Sequence, residues 1–447
     1  MKKKDIFKIT VAAVVVIIIG INIFFEPIMI GAKTIVKAPD SRMMESPDAD
    51  VFEDHQQYRS AYEAWQTEMD ARNEKTTQAM LVLSSFYKEG SNLFLSTEKN
   101  ENKIWSPVNA YIGLAMTTEL TEGETKQQIL NVFGVESTDE LREQVSAVWE
   151  NVYQETSKVA CILANSLWLE SGLQYNQKAM DALAYHYYAS VYQGDLGSNK
   201  INRAIEKWIN NNTDGFLKDN TKAIELPQES ILALYSTLYF QAEWSYEFSE
   251  RDNTKDVFHM QDGDIEVVYM NKELSPMNYY WGENFSAVSM WMKNGGRMWF
   301  ILPDEGMTTS DVLNEGTYME MLLSEEWEDY KYMEVNLSVP KFDVSSTMDL
   351  SSGLKDMGII NLFDKNAAEF MNLTSDVPIY LTGANQSVRV EIDEKGVKAA
   401  AYIELPGAGS AAPPAEIIDF VVDRPFLFAI TNDNVPLFMG CVNNPEG

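Results

Sequence analysis

The segment SVRVEIDEKGVKAAAYIEL, Ser387–Leu405, carries two pleated patterns in tandem. Val388, Val390 and Ile392 alternate with Arg389, Glu391 and Asp393, the period of two of a strand with one buried face. After Glu394-Lys395-Gly396 the alternation resumes, with Val397, Ala399, Ala401, Ile403 and Leu405 on one side. Lys398, Ala400, Tyr402 and Glu404 fall on the other. On pattern alone this is a β-hairpin.

The second run is a poor ordinary strand. Ala399, Ala400 and Ala401 give it weak strand propensity, and it flows into Pro406-Gly407-Ala408-Gly409-Ser410-Ala411-Ala412-Pro413-Pro414. That small-residue and proline tract reads as an exposed loop. The same residues are therefore suited to a strand in one setting and a loop in another.

Outward from this segment, 35 basic and 67 acidic residues leave a net charge of −32, and 45% of the chain is hydrophobic. The chain is globular and strongly acidic, which excludes a basic patch for nucleic acid or for an anionic membrane surface. Cys161 and Cys441, the only two cysteines, sit in apolar runs and read as buried free thiols. Lys2-Lys3-Lys4 precede an apolar run from Ile9 to Phe25, so residues 1–32 read as a signal peptide or, the reading favoured, an amino-terminal membrane anchor. Either places the bulk of the chain outside the cytoplasm. Residues 33–75 are acidic and then weakly helical, and read as an extracellular tether. From Thr76 to the end the chain reads as one domain.

Within that domain TTQAMLVLSSFYKEG has apolar residues at helical spacing and a Gly stop. Ser106-Pro107 opens a second helix, since proline is tolerated in a first turn. In INRAIEKWINNNTDG, Ile201, Ile205, Trp208 and Ile209 make one helical face, ended at Thr213-Asp214-Gly215. Ile231–Phe248 is apolar throughout and reads as a buried central strand. The end of the chain carries Phe420-Val421-Val422-Asp423-Arg424-Pro425-Phe426-Leu427-Phe428, then Pro436-Leu437-Phe438-Met439-Gly440.

These blocks, with Asn165, Trp208, Trp244 and Phe248 among them, resemble the serpins (serine protease inhibitors) in order and spacing from Thr76 to Pro445. The resemblance implies an α+β serpin fold with three β-sheets, about eight or nine helices and an exposed reactive-centre loop. It implies a serine protease as partner, trapped as an acyl-enzyme when the cleaved loop enters the main sheet as a new strand. Glu394 and Gly396 would form the hinge, and Val397, Ala399, Ala400, Ala401, Ile403 and Leu405 the inserting strand. The loop length puts the reactive bond at Ser410-Ala411, whose small residues point to elastase-like or subtilisin-like targets. Trp244, Ser106, Asn109, Ser236 and Gln386 align with the positions where the sheet strands part.

The chain departs from the family at Val397, Lys398 and Pro406, and a proline removes a ladder donor from a strand. Pro406, and the altered polar set at Ser106, Asn109, Ser236 and Gln386 where the sheet strands part, leave a non-inhibitory serpin, a cell-surface binding or structural module, as the alternative. Catalysis has no support, because His55, His186 and His259 lie in no nucleophile elbow, zinc motif or phosphate loop. No cofactor or metal is expected, and the molecule reads as a monomer.

Overall fold

A computed structural model describes residues 31–39, 47, 51–52, 54–97, 101–155, 160–218, 224–293, 295–324, 327–397, 416–432 and 434–447. The first part of the chain forms β1 (Lys33–Val36), α1 (His55–Leu95), β2 (Lys103–Trp105), α2 (Pro107–Thr118), α3 (Gly123–Val132) and α4 (Thr138–Val152). There follow β3 (Gln154–Glu155), β4 (Ala160–Glu170), α5 (Gln177–Tyr187), β5 (Ala189–Gly194), α6 (Asn199–Asn212) and β6 (Leu232–Glu243). Next come β7 (Thr254–Met260), β8 (Gly263–Trp281), β9 (Phe285–Trp291), β10 (Arg297–Pro303), α7 (Thr309–Glu315), α8 (Thr317–Leu323) and β11 (Tyr330–Pro340). The last are β12 (Phe342–Asp349), α9 (Ser351–Asp356), β13 (Asn385–Ile392), β14 (Gly396–Val397), β15 (Ile417–Val421), β16 (Phe426–Asn432) and β17 (Val435–Val442).

The strands make two hydrogen-bonded sheets. The first is eight-stranded, in the order β1-β5-β4-β6-β14-β13-β12, with β3 on β4. The second is nine-stranded, in the order β15-β11-β8-β9-β10-β16-β17-β2, with β7 on β8. Two of the three expected sheets are thus joined. Their link is β8, 19 residues long, which pairs with β7 along its first part, with β11 from Tyr269 to Tyr280 and with β9 at its end. Leu274, at φ 45°, turns the strand near the register shift between Val335 and Leu337.

Helix α2 lies buried between the sheets. Proline opens it, and apolar residues surround it, as a helix with no solvent face requires. Helix α6 instead has one apolar face, on which Ile201, Ile205, Trp208 and Ile209 pack with Trp168 and Ala233 against the outer side of the first sheet. The expected face and stop are both in place, with the Thr213 hydroxyl donating to the Ile209 carbonyl. β6 is central in its sheet, as its apolar run predicts, and both cysteines are buried and free.

Two readings of the amino-terminal third change. Lys33–Val36, read as the start of a tether, is the edge strand of the first sheet. It pairs antiparallel with β5, and the Ala38 amide donates to the Ser190 hydroxyl at 3.1 Å. The boundary placed at Thr76 falls inside α1, a continuous helix of 41 residues capped by the Asp54 carboxylate on the Gln56 amide. Its second half buries one face from Thr76 onward. Gly90 sits where a Cβ would lie 2.3 Å from the Trp105 ring, so the helix approaches β2 only with glycine there. Among the described residues no helix is long and apolar enough to cross a membrane. The apolar run Ile9–Phe25, read as anchor or signal, lies outside the described residues.

Candidate functional site: a hinge at the head of a strand cleft

The turn between β13 and β14 is built by Asp393. Its carboxylate accepts from the amides of Lys395 at 2.8 Å and Gly396 at 3.1 Å, the local side-chain bonding that favours aspartate in turns. Gly396 then passes so close to β6 that a Cβ would meet the Ala242 carbonyl oxygen at 2.3 Å. Glycine is required there by close approach, not by backbone angle. Val397 follows, opposite Ile392 of β13 and Ala242 of β6, with its side chain buried.

Three sets of bonds hold this turn to the body. The Trp244 indole donates to the Asp393 carbonyl at 2.8 Å, and the Trp244 amide to the Lys395 carbonyl at 2.9 Å. The Phe248 amide donates to the Glu394 carbonyl. The Glu394 carboxylate, only 9% exposed, accepts from Asn253 at 2.5 Å and from Lys341 at 2.9 and 3.0 Å. Burial works to raise its pKa, but the bonds from Asn253 and Lys341 outweigh burial and hold it below the ordinary value.

Below the hinge the two neighbouring strands part. Among the described residues β6 and β13 share no ladder, and the order β6-β14-β13 joins them only through Gly396 and Val397. A cleft runs between them, walled by Ser236–Phe240 on one side and Ser387–Glu391 on the other, with Phe438 on its floor. Each wall is tied separately to α2. Gln386 of β13 accepts from the Ser106 amide at 2.8 Å and donates to the Ser106 carbonyl at 2.9 Å. Asn109 donates to the Ser236 carbonyl at 3.1 Å and accepts from the Ser236 hydroxyl on β6. The Ser106 hydroxyl donates to the Leu437 carbonyl at 2.7 Å, anchoring α2 to β17.

The sequence-derived residues Trp244, Glu394, Gly396 and Val397 thus meet at the hinge, and Ser106, Asn109, Ser236 and Gln386 meet lower in the cleft. Ala399, Ala400, Ala401, Ile403, Leu405, Ser410 and Ala411 lie outside the described residues. Sequence reasoning missed Lys341 and Asn253, the partners of Glu394. It also missed Phe216, whose ring stacks on Arg389, because nothing local in a chain announces a partner far along it. The far end of the loop is fixed by β15, which runs parallel to β11.

His259 pairs with Asp264 at 2.9 Å on an exposed hairpin, and among the described residues no group of His, Cys, Asp and Glu is placed to hold a metal. The arrangement is a strand slot with a tethered strand start.

Comparison with known proteins agrees with that architecture. The chain matches the model of the serpin (serine protease inhibitor) family over residues 85–445, and it belongs to that family. It is similar to Neuroserpin of Homo sapiens, at 28% identity over 375 residues, covering 79% of this chain and 89% of that protein. It is also similar to Serine proteinase inhibitor A3K of Cavia porcellus, at 25% identity over 375 residues, covering 81% and 88%. Among solved structures, the native state of the thermophilic serpin tengpin superposes with a TM-score of 0.72 at 22% identity, covering 93% of this chain and all of that one. That likeness is one of fold.

Proposed function

We propose that the chain inhibits serine proteases as a suicide substrate. The observation that carries this reading is Val397, seated between β6 and β13 at the head of a cleft whose walls have no ladder to each other. A strand continuing from Val397 has a slot prepared for it, which is strand addition within one molecule.

The antiparallel register of Val397 fixes where such a strand would lie. Position 399 comes level with Val390 and Phe240, position 401 with Val388 and Leu238, and position 403 with Gln386 and Ser236. The inward-facing residues are then Ala399, Ala401 and Ile403, small or apolar throughout. Pro406 comes level with Ala233, beyond Asn385, the first residue of β13. The proline falls past the last rung of one wall, so its missing donor costs little.

Cleavage completes the mechanism. The protease serine oxygen would attack the Ser410 carbonyl, the new amino terminus at Ala411 would leave, and an ester would join the loop to the enzyme. Insertion from 398 onward would carry that ester away before water hydrolyses it. Burial of Ile403 and Leu405 contributes about 1.5–3 kcal/mol each, and each new ladder bond roughly 0.5–1.5 kcal/mol. The sum is of the order of a whole domain's stability, so insertion is downhill once the loop is cut.

The small residues around position 410 support elastase-like or subtilisin-like targets, because a shallow pocket suffices for them. The basic and apolar amino terminus supports export, with residues 1–32 as signal or anchor and the serpin domain outside the cytoplasm. Ala401→Arg tests the reading. It sets a guanidinium against Val388 and Leu238, and the expected result is a loop still cut but a covalent complex lost. Complex formation equal to the wild type would overturn insertion as the trapping step.

A further inference from the structure

The cleft has a roof. Residues Thr213, Phe216 and Leu217, in the linker that leaves α6, line it together with both walls. Phe216 reaches both sides. Its ring meets Tyr239 of β6 edge to face at 6.4 Å between centroids. On its other side the Arg389 guanidinium of β13 lies 4.6 Å from the ring centroid and donates to the Phe216 carbonyl at 3.4 Å. Asp343 of β12 orients that guanidinium through two bonds, at 2.8 and 2.6 Å.

We infer that Arg389 clasps the α6 linker across the cleft through Phe216, and that release of this clasp sets the rate at which the cleaved loop enters the sheet. The inference deepens the inhibitory reading and rests on it. Arg389 alternates with the buried Val388 and Val390, and Tyr239, itself buried against Phe216, alternates with Leu238 and Phe240, so both lie on the face that the linker covers. The register of Val397 brings position 400 level with both, directly under Phe216, and position 402 one step further on the same face. An alanine at 400 fits beneath a roof. A tyrosine at 402 needs the roof to lift, since a strand bearing it cannot be laid into the slot from outside while the linker is held down.

Arg389 is accordingly a positioning residue for the trapping step. A stacked guanidinium with two carboxylate bonds is specific to arginine, because the planar fork matches the carboxylate and the flat face matches the ring. A faster release shifts the competition between insertion and hydrolysis of the ester toward insertion. A slower release lets more inhibitor be consumed as substrate.

The test uses the full chain, nicked in the loop by a metalloprotease, which forms no acyl-enzyme. Insertion is followed by tryptophan fluorescence and by the rise in thermal resistance. Arg389→Ala and Phe216→Leu are each expected to insert about tenfold faster than the wild type. The double variant is expected to gain nothing further, because both changes open one contact. Arg389→Lys, which keeps a cation for Asp343 and loses the stack, should be accelerated too, and it separates loss of the clasp from loss of fold. With a trapped serine protease, the same variants should consume fewer inhibitor molecules per enzyme. Insertion at the wild-type rate in both single variants would overturn the clasp alone. A nicked wild type that never inserts would overturn the inhibitory reading and the clasp with it.

Discussion

Glu394 shows how one side chain holds the hinge. It is a buried carboxylate whose burial is offset by an amide and an ammonium, and its pKa lies below the ordinary value. A carboxylate with a depressed folded pKa adds stability that is fully present above its unfolded pKa of about 4.3, and loses it as pH falls through the folded value. Glu394→Gln should cost about 1–2 kcal/mol at neutral pH, the lower part of the range for charge-assisted bonds because Lys341 is partly in water. Denaturant midpoints measured from pH 7 to pH 3 should converge for the two proteins at the acid end. Curves that stay parallel across that range would contradict the account of this carboxylate.

The hinge residues themselves were legible because their chemistry is local. Asp393-Glu394-Lys395-Gly396 announces a turn, and the alternation on both sides announces strands. What Glu394 bonds to was not legible, since Lys341 and Asn253 come from two other elements. The same holds for Arg389, which reads as an ordinary outward residue until β12 and the α6 linker close around it.

At the scale of elements, periodicity predicted β13 and α6, a continuous apolar run predicted β6 and a Ser-Pro start predicted α2, while weak periodicity failed. Lys33–Val36 is four residues long between glycine and proline, too short to show alternation, and its partner β5 lies far along the chain. The sequence places a boundary at Thr76, inside α1, because the first half of that helix buries little. The nine-stranded sheet was hidden by β8, whose two halves serve different neighbours. Strand β1 covers the outer edge of β5, and uncovered edges template pairing with other chains. Removal of residues up to Val36 should therefore increase self-association of the purified domain, measured by light scattering. A truncated protein that scatters like the intact one would show that β5 is protected by other means.

At the scale of the whole molecule, the described residues leave β6 and β13 joined only through Gly396 and Val397. The walls of the cleft between them are tied separately to α2, the hinge is fixed at its head, and the loop's far end is held by β15 in the other sheet. Under the proposed mechanism, cutting the loop would free its amino-terminal part to enter the slot. The net charge of −32 opposes self-association through mutual repulsion. The most direct test mixes the protein, from Lys33 onward, with an elastase and with a subtilisin and separates the products on a denaturing gel. The account predicts a band at the summed mass of inhibitor and protease, with protease activity lost in proportion and a released fragment beginning near Ala411. Complete cleavage of the loop with no such band would contradict it.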